Sequence, residues 1–404
     1  MKLLSVEECV QGNLRRLVDG ELSRIAIYTG RGASHSWIWL VDSLEKLGYY
    51  NLRFIREKDI CSDMLADVLF ISGGDTFGLA DAIGPSRLHD LQEWIVRGGQ
   101  YIGICAGAYL PLHSSLSPLN QFNLVKGKLS NITNNLDGQF YGDERFVTKY
   151  GSSYVFQPVR GPLVVEFLAT EFTTHLYGGP CWCDVSDAEI MARYRSFTEK
   201  TIFLVSEEMA SKTVIDKIAA LRKSHGRGTL YLFGPHLEYP GNMVGNSLIG
   251  SVINYEAELR DQRHYSPEDF KPAEMQPVSR ELRSCVSSAR LMCFGMDGME
   301  WRIGRKVWDS ERFGYFFDAI WKRLRKATEI GLRIDCQDEL IEGFEECISL
   351  MRQMRALKGG IQGSMRAEQL LTILASCSAH FFNCYFTSLR HHIAKEAKRT
   401  YQIH

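Results

Sequence analysis

Cys105 lies in Gly103-Ile104-Cys105-Ala106-Gly107, directly after the strand-like run Tyr101-Ile102-Gly103-Ile104 and before a segment of helical character. A nucleophile at a sharp strand-to-helix turn needs small neighbours, because that turn is strained and crowded. A helix starting behind Cys105 would lower its thiol pKa and aim its first amides at a developing oxyanion. Taken alone, the motif is as compatible with a small buried hydrophobe as with a nucleophile. Its partners shift that balance. The late segment Phe233-Gly234-Pro235-His236-Leu237-Glu238 follows another apolar run. In an extended segment His236 and Glu238 project to one side, which suits a carboxylate that orients an imidazole. A third element, Ile71-Ser72-Gly73-Gly74-Asp75, ends a third apolar run, so the Gly74 amide can pair with that of Ala106 as an oxyanion hole. The chemistry implied is attack of Cys105 on an amide carbonyl, with His236 as base then acid and a thioester resolved by water.

These residues are far apart in the chain, so a sheet must gather them. Short apolar runs at Ile25–Tyr28, Leu52–Ile55, Val68–Ile71, Tyr101–Ile104 and Thr229–Phe233 alternate with helix-length segments, among them Trp37–Leu47 and Leu88–Val96. That alternation predicts an α/β fold with a parallel sheet sandwiched by helices, and a ligand crevice beyond the carboxyl ends of its strands. Further strands are expected near Leu163–Phe167 and Thr201–Val205. Residues 1–23 read as an N-terminal extension, 24–255 as the α/β domain and 256–277, with three prolines, as a linker. Residues 278–404 read as a smaller α-helical domain without assignable chemistry, from the periodic segments Arg312–Thr328, Asp338–Leu357 and Met365–Lys398.

Composition narrows the function classes. In 404 residues, 47 Lys+Arg against 48 Asp+Glu leave a net charge of −1, so a nucleic-acid partner is not expected. Ser376, Ser378, His380 and Asn383 interrupt the most apolar late stretch, and no membrane partner is expected. Eleven cysteines without C-x-x-C pairs, and an N-terminus without a long apolar core, point to a cytoplasmic protein. Cys181, Cys183 and Asp184 near His175 match no standard zinc spacing, so no metal and no cofactor are expected. The aromatic cluster Phe381, Phe382, Tyr385 and Phe386 suits helix packing or a homodimer face.

The glycine-rich strand end, the G-x-C-x-G elbow and the late H-x-E together resemble class I glutamine amidotransferases. A narrower resemblance, to the N-terminal domain of biotin–protein ligases, rests on four segments. They are Tyr28-Thr29-Gly30-Arg31-Gly32-Ala33-Ser34, the Gly73-Gly74-Asp75 turn, Gly98-Gly99 with Tyr101 through Tyr109, and Tyr177-Gly178-Gly179. It covers roughly residues 24–253 and implies a flavodoxin-like, class I glutamine amidotransferase-like sheet. It also implies that Tyr177 and Gly178 border the pocket, beside Gly73, Asp75, Tyr109 and Ser34 as substrate-binding candidates. Glutamine-hydrolysing members carry Gln where this chain has Tyr109, and H-P-E where it has His236-Leu237-Glu238. The glycine/arginine-rich loop of the ligase half has no counterpart, so biotin ligase activity is not expected. Three functions follow. The first is an amidohydrolase or amidotransferase-type enzyme acting on a small-molecule amide, any released ammonia passing to a separate synthetase or carboxylase-related partner. The second is a regulatory or binding module that kept the elbow without turnover. The third is a DJ-1-like stress protein, which would place an early carboxylate near Cys105 and which the late His-x-Glu argues against.

Overall fold

The computed structural model describes residues 1–132, 157–259, 276–335, 337–357 and 359–401. In chain order its elements begin with α1 (Val6–Asp19), β1 (Ile25–Tyr28), α2 (Ser36–Lys46), β2 (Leu52–Ile55), β3 (Val68–Ile71), α3 (Thr76–Val96), β4 (Gln100–Ile104) and α4 (Ala106–Tyr109). A run of strands follows: β5 (Gly127–Ser130), β6 (Val159–Phe167), β7 (Thr170–Leu176), β8 (Cys181–Val185), β9 (Glu189–Phe197) and β10 (Ile202–Phe203). Then come α5 (Glu207–Val214), β11 (Ile218–His225), β12 (Gly228–Phe233) and α6 (Met243–Leu259). The C-terminal part holds β13 (Gln276–Pro277), α7 (Arg280–Phe294), β14 (Glu300–Ile303), β15 (Lys306–Asp309), α8 (Ser310–Glu329), β16 (Arg333–Ile334), α9 (Gln337–Leu357) and α10 (Gly360–Tyr401).

The parallel sheet expected from the apolar runs is present as β12-β4-β3-β1-β2, every neighbouring pair in this order parallel. From β12 the sheet continues through β11, β9 and β6 with antiparallel pairing. Its parallel strands are buried on both faces, as continuous apolar runs require. Ile25, Ile27, Val68 and Phe70 point into the layer with α2, α6 and the C-terminal helices. Ala26, Tyr28, Leu69 and Ile71 point into the layer with α3. Asp75 caps α3 by accepting from the Phe77 and Gly78 amides, and the helix kinks at Gly84-Pro85. It thus begins twelve residues before the periodic segment Leu88–Val96.

The C-terminal helices are built into the same hydrophobic layer. Phe316 and Phe382 both pack edge-on against Trp37 of α2, at centroid distances of 5.5 and 5.8 Å. Arg323, buried, pairs with Asp42 and Glu45 of α2 at 2.8 and 2.7 Å. The expected extension 1–23 carries α1, capped by a Ser5–Glu8 capping box and packed beside α6. Of the linker 256–277, residues 256–259 finish α6, and 260–275 fall outside the described residues. Helix α10 is long and apolar enough by length and composition to cross a membrane, but its stripe of Leu370, Leu374, Phe381, Phe382, Tyr385 and Phe386 is buried within the protein.

Candidate functional site

Three strand ends meet at Cys105. The elbow leaves β4 with Cys105 at φ 53°, ψ −107°, a left-handed setting for a residue with a side chain. Such a conformation costs about 1–3 kcal/mol and persists only where the surroundings enforce it. They do so here by sterics: a Cβ on Gly103 would lie 2.4 Å from the Gly107 carbonyl oxygen, and one on Gly107 would lie 1.9 Å from that of Ile71. The Cys105 amide donates to the Phe233 carbonyl at 2.8 Å, and the Gly107 amide to that of Ser72 at 3.2 Å. The elbow is thereby pinned to β12 on one side and to the end of β3 on the other.

His236 follows β12, its amide donating to the His175 carbonyl at 2.7 Å. The segment is a bridge followed by a turn rather than an extended strand, yet Glu238 still reaches back to the ring. His236 Nδ1 lies 2.8 Å from Glu238 Oε1, and the imidazole lies close enough to the Cys105 thiol for each to act on the other's charge. Glu238 is fully buried; its Oε1 also accepts from Ser72 Oγ at 3.0 Å, while Oε2 has no hydrogen-bond partner among the described residues. Ser72 Oγ is in turn 3.1 Å from Ser36 Oγ.

The electrostatics follow from this chain of contacts. Burial opposes a thiolate at Cys105, but the charge of His236, helped by Lys306, holds the thiol below its ordinary value. Burial likewise opposes an imidazolium, and Glu238 and Cys105 overcome it, raising His236. The expected helix behind Cys105 is the single turn α4, so the depression of the thiol comes from side chains rather than from a long helix dipole.

A cavity of about 250 Å³ opens beside Cys105. Gly74, Asp75, Ala106, Tyr109 and Gly178 line it with Cys105. Among the described residues no hydrogen bond is found from the Gly74 or the Ala106 amide, and both residues line the cavity. Tyr109 Oη donates to the Gly178 carbonyl at 3.1 Å, and burial pushes its phenol well above the ordinary range. Asp75 faces the cavity with its oxygens engaged: Oδ1 caps α3 and Oδ2 accepts the Arg305 amide at 3.2 Å. Three candidates stand behind the cavity wall. Gly73 lies under His236, where a Cβ would come within 2.8 Å of Cε1 and of Ser36 Oγ. Ser34 Oγ donates to the Gly73 carbonyl at 3.0 Å, and Tyr177 joins Trp39 and Tyr239 around the far side of His236.

Among the lining residues that escape the sequence reading are two basic ones, Arg305 and Lys306, at the turn of the β14–β15 hairpin. Their signal is the run Trp301-Arg302-Ile303-Gly304-Arg305-Lys306-Val307-Trp308, two strand-like stretches around a glycine at φ 57°. Among the described residues no group of three or more His, Cys, Asp or Glu is placed to hold a metal.

The chain is similar to several known proteins. An uncharacterised protein of Chlamydia muridarum (strain MoPn / Nigg) is 22% identical over 238 residues, 54% of this chain and 81% of the relative. Among solved structures, a putative GMP synthase protein of Thermoplasma acidophilum matches 58% of this chain and 96% of its own, at 15% identity and a TM-score of 0.36. A glutamine amidotransferase matches 58% and 98%, at 12% identity and a TM-score of 0.36. The family model described as "Biotin-protein ligase, N terminal" spans residues 23–266, more than half of the sequence, and the chain belongs to that family.

Proposed function

We propose that the chain is a cysteine-dependent amidohydrolase of glutamine amidotransferase-like type. The buried Glu238–His236 hydrogen bond beside Cys105 at a strained elbow carries the reading. Cys105 Sγ attacks the amide carbonyl, and the oxyanion formed is held by the Gly74 and Ala106 amides. His236 transfers its proton to the leaving nitrogen as the C–N bond breaks, leaving an acyl thioester and ammonia or an amine. Water, deprotonated by His236, adds to the thioester; the C–S bond breaks, the carboxylic acid departs, and the proton returns to the Cys105–His236 pair. Glu238 keeps the ring in the tautomer with Nδ1–H toward the carboxylate. Ammonia released here passes to a separate synthetase or carboxylase-related partner in this reading.

Iodoacetamide labelling near neutral pH, read by peptide mass spectrometry, tests it. Cys105 is expected to react at least tenfold faster than the other cysteines, and His236→Ala to abolish that advantage. If Cys105 reacts no faster and His236→Ala behaves identically, the chain is a binding module and not an enzyme.

A further inference from the structure

The β14–β15 hairpin belongs to the helical part of the chain, yet its turn closes the wall of the cavity that holds Cys105. Arg305 and Asp75 meet there across 230 positions of sequence: the Arg305 amide donates to Asp75 Oδ2, and its guanidinium lies 3.8 Å from the centre of the Phe77 ring. Gly304 permits this approach, since a Cβ there would stand 3.2 Å from Asp75 Oδ2. The hairpin turn is therefore seated on the residue that caps α3, in a fixed place.

That seating brings Lys306 to the cavity. Among the described residues its ammonium makes no hydrogen bond or salt bridge, although Cys105, Asp75, Arg160 and Arg312 all act on it electrostatically. Burial, reinforced by Arg160 and Arg312, holds Lys306 below the ordinary lysine value despite the opposing pull of Cys105 and Asp75. A cation without a hydrogen-bonded partner among the described residues is costly in a partly desolvated wall, and an anionic ligand is a group that relieves the cost.

The rest of the lining defines what that anion is attached to. Leu112, Leu116, Leu119, Leu129 and Phe77 give the cavity an apolar side. Asp75 is its acidic residue among the described ones, and both Asp75 oxygens already accept backbone amides. Against this one carboxylate stand Arg305 and Lys306 in the same lining, so among the described residues the wall carries an excess of positive charge, which favours a net anion over a zwitterion. Lys306 offers one point charge, and the Arg305 guanidinium is stacked over Phe77 rather than open for bidentate contact, so the lining suits a singly charged carboxylate better than a phosphate. The volume suits a small molecule.

We propose that Lys306 binds the carboxylate of a small, net-anionic amide, such as the monoamide of a dicarboxylic acid, and selects it over neutral amides and over zwitterionic amino-acid amides. The assignment rests on the thioester reading for the identity of the reacting amide, but the anion site itself does not need turnover. Arg305, exposed at the rim with its guanidinium over Phe77, adds to the positive potential of the same wall.

Calorimetric binding to the Cys105→Ser chain tests the site apart from the nucleophile. Succinamate, butyramide and L-glutamine are the probes. Succinamate is expected to bind at least tenfold more tightly than butyramide or glutamine, about 1.4 kcal/mol. Lys306→Met should erase the preference, and Lys306→Arg should keep it within about threefold. Equal affinities, tighter binding of glutamine, no saturation by any of the three in the millimolar range, or a preference that survives in Lys306→Met overturns the proposal. Iodoacetamide labelling of the unmodified chain separates this outcome from failure of the nucleophile reading. A reactive Cys105 with no anion preference sinks only the Lys306 assignment. An inert Cys105 beside an intact preference sinks only the catalytic one.

Discussion

Asn383, in the middle of α10, hydrogen-bonds both backbone groups of Phe54: its Nδ2 donates to the carbonyl at 3.1 Å, and its Oδ1 accepts the amide at 2.9 Å. Phe54 lies in β2, the terminal strand of the parallel sheet. One side chain thus supplies what a further strand would supply, and the helix covers the edge that would otherwise invite pairing with another chain.

Asn383→Leu removes both bonds while keeping the helix and most of the side-chain volume. It should cost about 1–3 kcal/mol, since buried backbone groups are then left unpaired. Urea denaturation should show a lower midpoint with an unchanged slope.

A chain of residues 1–259 lacks the helices that cover Trp37, Phe54 and the rest of the α2 layer. It is expected to expose a large apolar face and to aggregate at concentrations where the full chain stays monodisperse in light scattering.

Arg323 is 1% exposed and holds Asp42 and Glu45 from the other side of the layer. Arg323→Ala leaves two acidic groups short of a partner and should cost about 3 kcal/mol at neutral pH. Burial works to raise the Glu45 carboxyl, but Arg323 and Lys326 outweigh it and hold it below the ordinary value. A carboxylate depressed in the folded state adds stability above its unfolded pKa and loses it as pH falls through the folded one. The gap between the two chains should therefore narrow in acid, below the ordinary glutamate range, in pH-resolved melting curves.

The thiol of Cys105 lies below its ordinary value through His236, whose charge depends on Glu238. Labelling should stay fast below the usual thiol range and fall only as pH drops through the depressed value. In Glu238→Gln the imidazolium loses its carboxylate, so the inflection should move upward and the rate at neutral pH drop by at least tenfold. A wild-type profile in Glu238→Gln would show that the carboxylate has no part in setting the thiol.

Gly73→Ala places a methyl group 2.8 Å from His236 Cε1 and from Ser36 Oγ. The ring must move, since overpacking of this kind costs about 1–3 kcal/mol where nothing can yield. Cys105 labelling should slow while far-ultraviolet circular dichroism is retained.

How much of this was legible in the sequence differs by element. The parallel strands were readable because residues such as Val68–Ile71 are buried on both faces and form unbroken apolar runs. Cys105, His236 and Glu238 were readable because an elbow needs glycines by sterics and an orienting carboxylate needs short spacing from its histidine. The start of α3 was hidden by Gly84-Pro85, where Gly84 leaves helical geometry at φ 73° and two helical segments join at a kink. Ser36 and Ser72, which brace Glu238, carry no pattern of their own. The hairpin was hidden in a different way: its strands are four residues each, and its role depends on a contact 230 positions away.

That contact has a kinetic consequence. Asp75 meets Arg305, and Phe54 meets Asn383, across 230 and 329 positions, so neither contact can close until most of the chain is present. During synthesis the elbow of Cys105 emerges long before the turn that walls its cavity. The thiol spends that interval without the lysine that helps hold it below its ordinary value in the folded chain.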